Sequence, residues 1–593
     1  MKKPLFLLAI LAIFTLGCDD DTTSDNNDNN TTNNTTNNST NNTTNNTTNN
    51  STNNTTNNTT NNSTNNTNHE VCDDHDSDSD HTWSLDEVED IIIASGVSSD
   101  SDNVTCAGNI ATITAGGIYR LSGTSSDAQI VVDSSDSVNV VLVLDGVDLS
   151  YSAGPAINIL NAEKTILHIA DGSTNQVEDS SEYPSEEEAN AAIHCKSDLT
   201  ISGSGNLNVS GNFNDGISSK DGLVIRNGNI TVNAVDDAIR GKDYITIKGG
   251  TITTQTETGD AFHSDNEDNA TLGYICVYTG SFDINSGSDG FQAETTLYVS
   301  GGDFNITCAG GSNASIDDSE SAKALKAGTL LEISGGDFEI NSADDGLHSD
   351  ADMVIEGGTF NISTGDDGVH AELTLEINDG DITVSKSYEG IEASDITING
   401  GTIHVVSSDD GLNGAGSTTN FLDITGGYVV VNAQGDGIDV NGSITMSGGT
   451  VLVHGPTGFD NGPLDYDNTF NISGGLLVAV GSKGMAQAPS QTSSQNSVIA
   501  GFNNALTPGT LIHIQTSDGL GLLTFTPEKN AESIVYSSPE LVNGNYAIYT
   551  GGTSTEESTD GLYPENATYT PGTLLRSFTV SSSVTTVNIQ THP

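Results

Sequence analysis

Basic residues are scarce in this sequence: Lys and Arg total 16 of 593 residues, against 81 Asp and Glu, and the net charge is −65. A chain this acidic cannot neutralise a phosphate backbone, which excludes nucleic-acid binding and favours partners that bring cations. Apolar runs are short as well. The longest, Leu5 to Leu16, is too short to span a bilayer. A 3.6-residue apolar period is also absent from the repeated part of the chain, which argues against a helical fold.

A repeat is present instead, and it is clearest from Asp345 to Asn413. Aligning its copies on Gly346, Gly368, Gly390 and Gly411 gives spacings of 22, 22 and 21 residues. Such a period is typical of a solenoid, in which each repeat forms one coil. The first aligned residue of each coil is found in eleven copies: Ala192, Gly216, Ala238, Ala261, Gly290, Ala324, Gly346, Gly368, Gly390, Gly411 and Gly437.

Each copy contains three short segments with alternating apolar residues, separated by glycine-rich turns. Leu347 aligns with Val369 in the first segment, and Phe360 aligns with Ile382 in the third. Alternation with period two is typical of half-buried strands, and equivalent side chains should stack from coil to coil. The sequence therefore predicts an all-β protein, a parallel β-helix with three strands per coil.

The N-terminal region carries an export signal. Two lysines, an apolar run and Gly17-Cys18 are typical of a secretory signal peptide. The junction resembles a bacterial lipobox, although Thr15 stands where leucine is usual, and this implies lipidation of Cys18. An ordinary cleaved signal is the alternative. The chain is expected to be an exported lipoprotein at the bacterial cell envelope or surface, in contact with the membrane only through this lipid, and a monomer.

Composition divides the rest of the chain. Residues 19–68 are almost all Asn, Thr and Ser and cannot form a core. The acidic run Asp73 to Asp80 lacks the glycine of an EF-hand and is interpreted as linker. We expect a signal peptide with lipobox at 1–18, a disordered Asn/Thr-rich and acidic tether at 19–83, a β-helix with N-terminal cap at 84–484, and a C-terminal β cap at 485–593.

Two features near the N-terminus suggest how the solenoid is closed. Ser84 and Glu87 form a capping-box pattern before an apolar stretch, which predicts a short capping helix from Leu85 to Ala94. Cys72 and Cys106 flank this cap and are the most plausible disulfide. Cys276 has an outward phase and Cys308 an inward phase, so these two should not meet.

Acidic residues recur at one position of the coil, directly before the aligned Gly or Ala, and one coil carries a lysine there. We call this set the carboxylate ladder: Asp215, Asp237, Asp260, Asp289, Lys323, Asp345, Asp367, Glu389, Asp410 and Asp436. Carboxylates one coil apart repel each other, and Ca²⁺ tolerates the irregular oxygen geometry that such a ladder would offer. A simple preference for Asp-Gly in turns is the alternative explanation.

Two further rows form one outward strip. The outward row is His194, Ser218, Arg240, His263, Gln292, Lys326, His348, His370, Glu392, Asn413 and Asp439, and the flanking row is Lys196, Lys220, Lys242, Asp265, Glu294, Gly328, Asp350 and Glu372. Basic groups beside calcium-binding acids suit a polymer that carries repeated carboxylates, such as a polyuronate. The lysines could instead serve only to relieve the acidic ladder, and the stacked His348 and His370 could bind a transition metal.

These rows supply the candidate site residues. The candidate calcium ligands are Asp215, Asp237, Asp260, Asp265, Asp289, Glu294, Asp345, Asp350, Asp367, Glu372, Glu389, Asp410 and Asp436. The candidate carbohydrate-binding residues are Lys196, Lys220, Arg240, Lys242, His263, Gln292, Lys326, His348 and His370.

The repeats Asp344 to Asp350 (DDGLHSD), Asp366 to Glu372 (DDGVHAE) and Gly357 to Ile362 (GGTFNI), with the C-terminal segment SSPELVNGNYAIYTGG, carry a resemblance. They resemble a bacterial exported carbohydrate-binding β-helix family known from cellulolytic clostridia. The resemblance covers most of the chain after Ser84. It implies a right-handed helix related to pectate lyases, bound calcium, and binding of cellulosic or polygalacturonate chains. Because Trp83 is the only tryptophan and lies outside the coils, acidic glycans are favoured over flat stacking on cellulose.

The function that these observations favour is non-catalytic, calcium-dependent polysaccharide binding, with no catalytic residue assigned. One alternative is a pectate-lyase-like β-eliminase, for which Lys220, Arg240, Lys242 and Lys326 are the available bases. A second alternative is a structural stalk or adhesin, which would not need ordered rows of charged side chains.

Overall fold

The computed structural model describes residues 72–94, 96–184, 189–317, 319–417 and 419–588. The predicted signal peptide, Cys18 and residues 19–71 of the predicted tether lie outside the described residues. No helix among the described residues is both long enough and apolar enough to cross a bilayer.

The chain forms a right-handed parallel β-helix of about 15 turns, which confirms the predicted fold. Each coil contributes one strand to each of three faces, because short apolar segments alternate with tight turns. The first face contains Ile110–Ile113, Gln129–Asp133, Ile157–Asn161, Ala191–Cys195, Asp215–Ser219, Ile239–Gly241, Phe262–Ser264, Phe291–Ala293, Leu325–Ala327, Leu347–Ser349, Leu412–Gly414, Ile438–Val440 and Asp465–Tyr466.

The second face contains Val88–Ile93, Gly117–Ser125, Val140–Ser150, Thr165–Ile169, Leu199–Gly203, Gly222–Ile225, Tyr244–Ile247, Tyr274–Val277, Thr296–Val299, Leu330–Ile333, Asp352–Ile355, Phe421–Ile424, Ser443–Met446 and Phe470–Ile472. Two longer strands, Val369–Ile377 and Ile391–Ile398, run from the first face onto the second. The third face contains Thr174–Glu178, Asn206–Gly211, Asn229–Ala234, Thr251–Thr256, Ser281–Ser286, Asp303–Cys308, Asp337–Ser342, Thr359–Thr364, Asp381–Lys386, Thr402–Ser407, Tyr428–Ala433, Thr450–His454 and Leu476–Gly481.

The register between coils follows the sequence repeat. Leu347 pairs with Val369 on the first face, and Phe338 pairs with Phe360 on the third. Inward side chains therefore stack into a continuous core that runs through the solenoid. Four phenylalanines of the third face, Phe282, Phe304, Phe338 and Phe360, stack with ring centroids 4.5–4.7 Å apart.

The predicted N-terminal capping helix is wrong. The capping bonds do form, since Ser84 N donates to Glu87 Oε2 at 3.2 Å, but they support only the single 3₁₀ turn Leu85–Glu87. The chain then enters the strand Val88–Ile93, which pairs in parallel with Gly117–Ser125. Ile91 and Ile93 are buried while Ile92 is exposed. This period-two burial, together with β-branched residues that suit a strand, outweighs the local capping signal.

The strands Val97–Ser99 and Val104–Ala107 complete the N-terminal end with antiparallel pairings. At the other end, Ala531–Ser537 pairs antiparallel with Leu476–Gly481, the last strand of the third face, and with Ser497–Leu506. Val584–Val587 extends this sheet. A separate four-stranded antiparallel sheet contains Ile512–Thr516, Gly521–Phe525, Gly544–Ser554 and Tyr569–Val580. A second apolar cluster lies between these strands and the last coils.

The predicted disulfide between Cys72 and Cys106 is also wrong. Cys72 is bonded to Cys276, while Cys106 is free and exposed. Cys308 is a buried free thiol, so the prediction that it does not meet Cys276 is confirmed. The partner of Cys72 is 204 residues away because residues 72–83 lie against the second face, where Cys276 points outward.

Consequently the tether prediction is wrong for residues 72–83. This segment, which we call the N-terminal arm, includes the 3₁₀ turn Asp78–His81 and contacts several coils. Its acids meet basic partners that lie far apart in sequence, such as Lys164 and Lys248. The acidic run is held in place by these basic partners, which the composition of the run alone could not reveal.

Candidate carbohydrate and metal site

The outward row lies on the first face, in register across the coils. Arg240 pairs with His263, His263 with Gln292, and Gln292 with Lys326. Lys326 pairs in turn with His348, and the row continues to the neighbouring coils. Aligning the repeats of the sequence therefore predicted correctly that these side chains are neighbours.

The carboxylate ladder lies at the turn that enters the first face, and most of it is buried rather than exposed. Asp215 and Asp289 are 0% exposed and Asp345 is 2% exposed. In seven of these acids one carboxylate oxygen accepts a hydrogen bond from the backbone amide at the same position of the next coil. The bonds, each given as the residue whose backbone amide donates and then the residue whose carboxylate accepts, are Asp260 and Asp237, Asp289 and Asp260, Lys323 and Asp289, Asp367 and Asp345, Glu389 and Asp367, Asp436 and Asp410, and Gly462 and Asp436.

In the middle of the ladder, a histidine of the outward row bridges two carboxylates. His370 Nδ1 lies 3.3 Å from Asp367 Oδ2, in its own coil, and 3.9 Å from Asp345 Oδ2, one coil back. Burial lowers the pKa of His370, but its hydrogen bond to Asp367 and the charge of Asp345 dominate and raise that pKa to about 9. This histidine is therefore cationic at neutral pH.

A similar arrangement occurs four coils earlier. His263 Nδ1 lies 2.8 Å from Asp237 Oδ2 and 3.5 Å from Asp260 Oδ2. Its burial is again outweighed by the bond to Asp237, and its pKa is raised to about 9. Arg240 pairs with Asp265 in the adjoining position.

Lys323 occupies a ladder position where nine of the ten coils carry an acid. Its Nζ lies 2.6 Å from Asp344 Oδ2 and 3.0 Å from Asp345 Oδ2. Burial raises the pKa of Asp345, but the hydrogen bond from His348 and the charge of Lys323 hold that pKa well below its usual range. The central part of the ladder is thus neutralised by the chain's own cations.

The C-terminal part of the ladder differs. Oxygens of Asp410, Asp436 and Asp439 lie within 4.8 Å of one another. Burial and the neighbouring carboxylates raise the pKa of each to about 6. Within the described ranges, none of the three forms an ion pair with a Lys, Arg or His. This group of three acids, unlike the central part of the ladder, therefore has no internal cation.

An amide oxygen adds to this acidic group. Asn413 pairs in register with Asp439, and it holds the place in its coil that His348 and His370 hold in theirs. It is 7% exposed; its Nδ2 donates to Glu389 and Glu392, while its Oδ1 has no hydrogen-bond partner in the described part of the chain. Carboxylate and amide oxygens are suitable ligands for Ca²⁺. The sequence had not placed Asn413 or Asp439 among the metal ligands.

The remaining candidates are distributed as follows. Asp215 accepts hydrogen bonds from the amides of Asn190 and Asn214, at 2.8 and 2.9 Å. Asp350 is bonded to His348 Nε2 at 2.9 Å, and Glu372 lies 3.9 Å from His370 Nε2. Glu294 is exposed and joins no candidate metal group within the described residues.

Among the candidate carbohydrate ligands, Lys242 lies 3.8 Å from Asp268, and Lys196 is exposed. Lys220 is partly buried, and burial, followed by the charge of Arg240, lowers its pKa.

A groove of about 970 Å³ opens beside the outward row. One wall is the insertion between the third and first faces, which supplies Ser312, Asn313, Ser315 and Ser321. No role had been predicted for this insertion from the sequence. The basic residues Lys323, Lys326, His348 and Lys386 also line the groove, together with the acids Asp317, Glu320, Asp344, Asp350 and Asp366. Hydroxyl and amide groups next to charged side chains of both signs are suited to a hydroxyl-rich ligand.

Comparison with known proteins adds the family. A family model described as carbohydrate-binding domain-containing protein matches residues 107–368 and 367–573. A protein of Acetivibrio thermocellus with the same description is 43% identical over 126 residues, or 21% of this chain and 44% of that protein. The chain thus spans less than half the length of that relative. A solved structure described as a polysaccharide lyase-like protein from C. thermocellum, in a gadolinium derivative, is 26% identical, with a TM-score of 0.34 and coverage of 49% of this chain and 96% of that one.

The matched residues comprise more than half of the 593 residues, and the chain therefore belongs to the family of carbohydrate-binding domain-containing proteins.

Proposed function

We propose that the first face binds an acidic polysaccharide, such as a polygalacturonate, in a calcium-dependent and non-catalytic manner. The observation that carries this proposal is the change of charge along the outward row. Its central coils carry Arg240, Lys326 and cationic histidines, whereas at its C-terminal end Asp439 lies beside the ladder acids Asp410 and Asp436. Membership of a carbohydrate-binding family supports a glycan as the ligand.

The two ends of the row would hold the carboxylates of the glycan by different means. In the central coils a uronate carboxylate would be paired by Lys326 and Lys386, which line the groove. At the acidic end, Ca²⁺ would be bound by Asp410, Asp436, Asp439 and Asn413 Oδ1. A cation bound there relieves the repulsion between three partly buried carboxylates, and its remaining coordination positions are available to a sugar acid.

The proposal includes export and anchoring through a lipid on Cys18. The disulfide Cys72–Cys276 supports an oxidising compartment, because such bonds form in exported proteins. Incorporation of a labelled fatty acid, compared between the natural chain and Cys18→Ala, tests the lipid. Equal labelling of the two chains would refute the anchor.

Affinity electrophoresis of the purified protein through polygalacturonate, with Ca²⁺ or with chelator, tests the binding function. We expect retardation with Ca²⁺ and its loss with chelator, whereas neutral cellulose fragments should cause little retardation. Lys326→Ala and Asp436→Asn should each weaken retardation roughly tenfold. Lys483→Ala is the control, because Lys483 is exposed and outside the groove. Equal retardation of all three variants would exclude the first face as the site.

A β-eliminase is the second candidate function, and one observation favours it: the lowered pKa of Lys220. Lys220 as the base would take the proton α to a uronate carboxyl, a carbon–carbon double bond would form as the C–O bond to the leaving sugar breaks, and the leaving oxygen would take up a proton from solvent. Rising ultraviolet absorbance from the unsaturated product, abolished in Lys220→Ala, would establish the lyase. Retention on the glycan without that absorbance supports binding alone.

A further inference from the structure

The N-terminal arm lies across the second face and contacts successive coils. Asp80 Oδ2 lies 2.7 Å from Lys164 Nζ at one end, and Cys72 is bonded to Cys276 at the other. Between these points His75 Nε2 lies 2.9 Å from Thr200 Oγ1. Trp83 packs edge-on against His168, with ring centroids 4.9 Å apart. The arm therefore follows the solenoid axis and crosses the strands beneath it.

Four acids of the arm, Asp74, Asp76, Asp78 and Asp80, alternate in sequence, and each meets a base of the second face. Asp74 Oδ1 lies 3.0 Å from Lys248 Nζ. Asp76 Oδ2 lies 2.6 Å from Arg226 and 3.1 Å from Lys248, and its side chain is 0% exposed. Lys164, Arg226 and Lys248 are three of only 16 Lys and Arg residues in the chain. In so acidic a protein, these bases form a surface that recognises a line of carboxylates.

Aromatic rings complete this surface. Tyr244 and Tyr274 stack in neighbouring coils, with centroids 5.1 Å apart and an angle of 5° between their planes. Their hydroxyls bond the arm's polar groups: Tyr274 donates to Asp73 O, and Tyr244 accepts from His75 N at 3.0 Å. The arm has no apolar side chain besides Trp83 and the disulfide-bonded Cys72, so its other contacts depend on charge and hydrogen bonds. A polyuronate offers the same chemistry.

We propose that the second face between Lys164 and Cys276 is a second binding surface for acidic polysaccharide, and that the N-terminal arm occupies it as an internal polyanion. This inference rests on the ligand class proposed for the first face, but not on calcium, because here the cations are Arg and Lys side chains. The arm is attached to the same chain and held by a disulfide, so its effective concentration is high and it excludes a weakly bound glycan. Displacing it would expose the bases and the tyrosine pair.

The test opens the arm and measures glycan binding in chelator, where the proposed calcium site is silent. The opened variant combines Cys72→Ser with Asp74→Asn, Asp76→Asn and Asp80→Asn. The control combines Cys72→Ser with Asp100→Asn, Asp102→Asn and Asp133→Asn, three exposed acids away from the arm, so that the charge change is the same. Emission of Trp83, the single tryptophan, reports whether the arm is docked.

We expect a red-shifted Trp83 emission in the opened variant and at least roughly tenfold tighter, chelator-resistant binding of polygalacturonate than in the control. Adding Arg226→Ala and Lys248→Ala to the opened variant should abolish this gain. Far-ultraviolet circular dichroism checks that the β-helix is retained. An opened arm without a gain, or a gain that survives loss of the two bases, overturns the proposal. An arm that stays docked without its carboxylates overturns it as well, since the surface would not then recognise acids. Failure of calcium-dependent binding in the natural chain would leave these readouts unaffected.

Discussion

Asp345 Oδ1 accepts a hydrogen bond of 2.9 Å from the backbone amide of Asp367, the residue at the same ladder position one coil further on. The same bond recurs along the carboxylate ladder, so these acids join successive coils. In the central coils the second oxygen is directed to a cation, which is Lys323 and His348 in the case of Asp345. The ladder thus combines a structural role with an electrostatic one.

Asp345→Ala should therefore destabilise the solenoid strongly. The substitution leaves the amide of Asp367 without its acceptor and leaves Lys323 and His348 partly unpaired in a buried site. Breaking a buried charge pair in this way costs about 3–5 kcal/mol of unfolding free energy. Urea unfolding monitored by circular dichroism measures the loss. Asp381→Ala, an exposed acid on the third face, is the control and should change stability little; similar losses in the two variants would show that the ladder bond contributes nothing special.

Phe304 provides a test of the stacked core. Its ring lies between those of Phe282 and Phe338, at 4.7 and 4.5 Å. Phe304→Ala removes both contacts and leaves a cavity, so we expect a loss of roughly 3–5 kcal/mol in unfolding free energy. Phe459→Ala, at a site 71% exposed, should have almost no effect. A small loss at Phe304 would mean that neighbouring coils close the cavity.

The repeat made much of this architecture predictable. Because equivalent residues of each coil pair in register, aligning Leu347 with Val369 also fixed the neighbours of His348 and His370. Burial of the ladder was not predictable, because an Asp before Gly has the same local pattern whether its carboxylate bonds water or the next coil's amide.

The N-terminal arm shows most clearly which contacts could not be predicted from the sequence. Its partners Lys164, Arg226 and Lys248 occur singly in three coils, and no local pattern marks them as a group. The disulfide spans 204 residues for the same reason. Such contacts depend on which coils lie side by side, and composition alone suggested a linker.

Asp179 gives a pH dependence that can be assigned to one group. Burial raises the pKa of this carboxyl to about 6, although Asn212 N and the Tyr183 hydroxyl donate hydrogen bonds to it. The folded state therefore binds more protons than the unfolded state between about pH 4 and pH 6, and the contribution of Asp179 to stability falls as pH rises through that window.

Asp179→Asn removes this titration. We expect the variant to gain stability relative to the natural chain as pH rises from about 4 to 6, by up to about 2 kcal/mol. Urea unfolding in chelator at several pH values measures the difference. Asp133→Asn, an exposed site, should run parallel to the natural chain. A constant difference between Asp179→Asn and the natural chain would show that Asp179 is ionised throughout.

Lys323 offers the sharpest test of the ladder as a cation site. Its Nζ lies 2.6 Å from Asp344 and 3.0 Å from Asp345, where the other coils present only acids at the ladder position. We expect Lys323→Met to be less stable than the natural chain in chelator, because two buried carboxylates lose their partner. Calcium should restore that stability by binding the vacated carboxylates, and isothermal titration calorimetry should detect one more bound ion than in the natural chain. Lys483→Met, on the exposed surface, should show neither change. The contrary result is a calcium-induced shift of the melting temperature that is no larger for Lys323→Met than for the natural chain. In that case the ammonium group would be a structural partner of the two acids and not the equivalent of a bound cation.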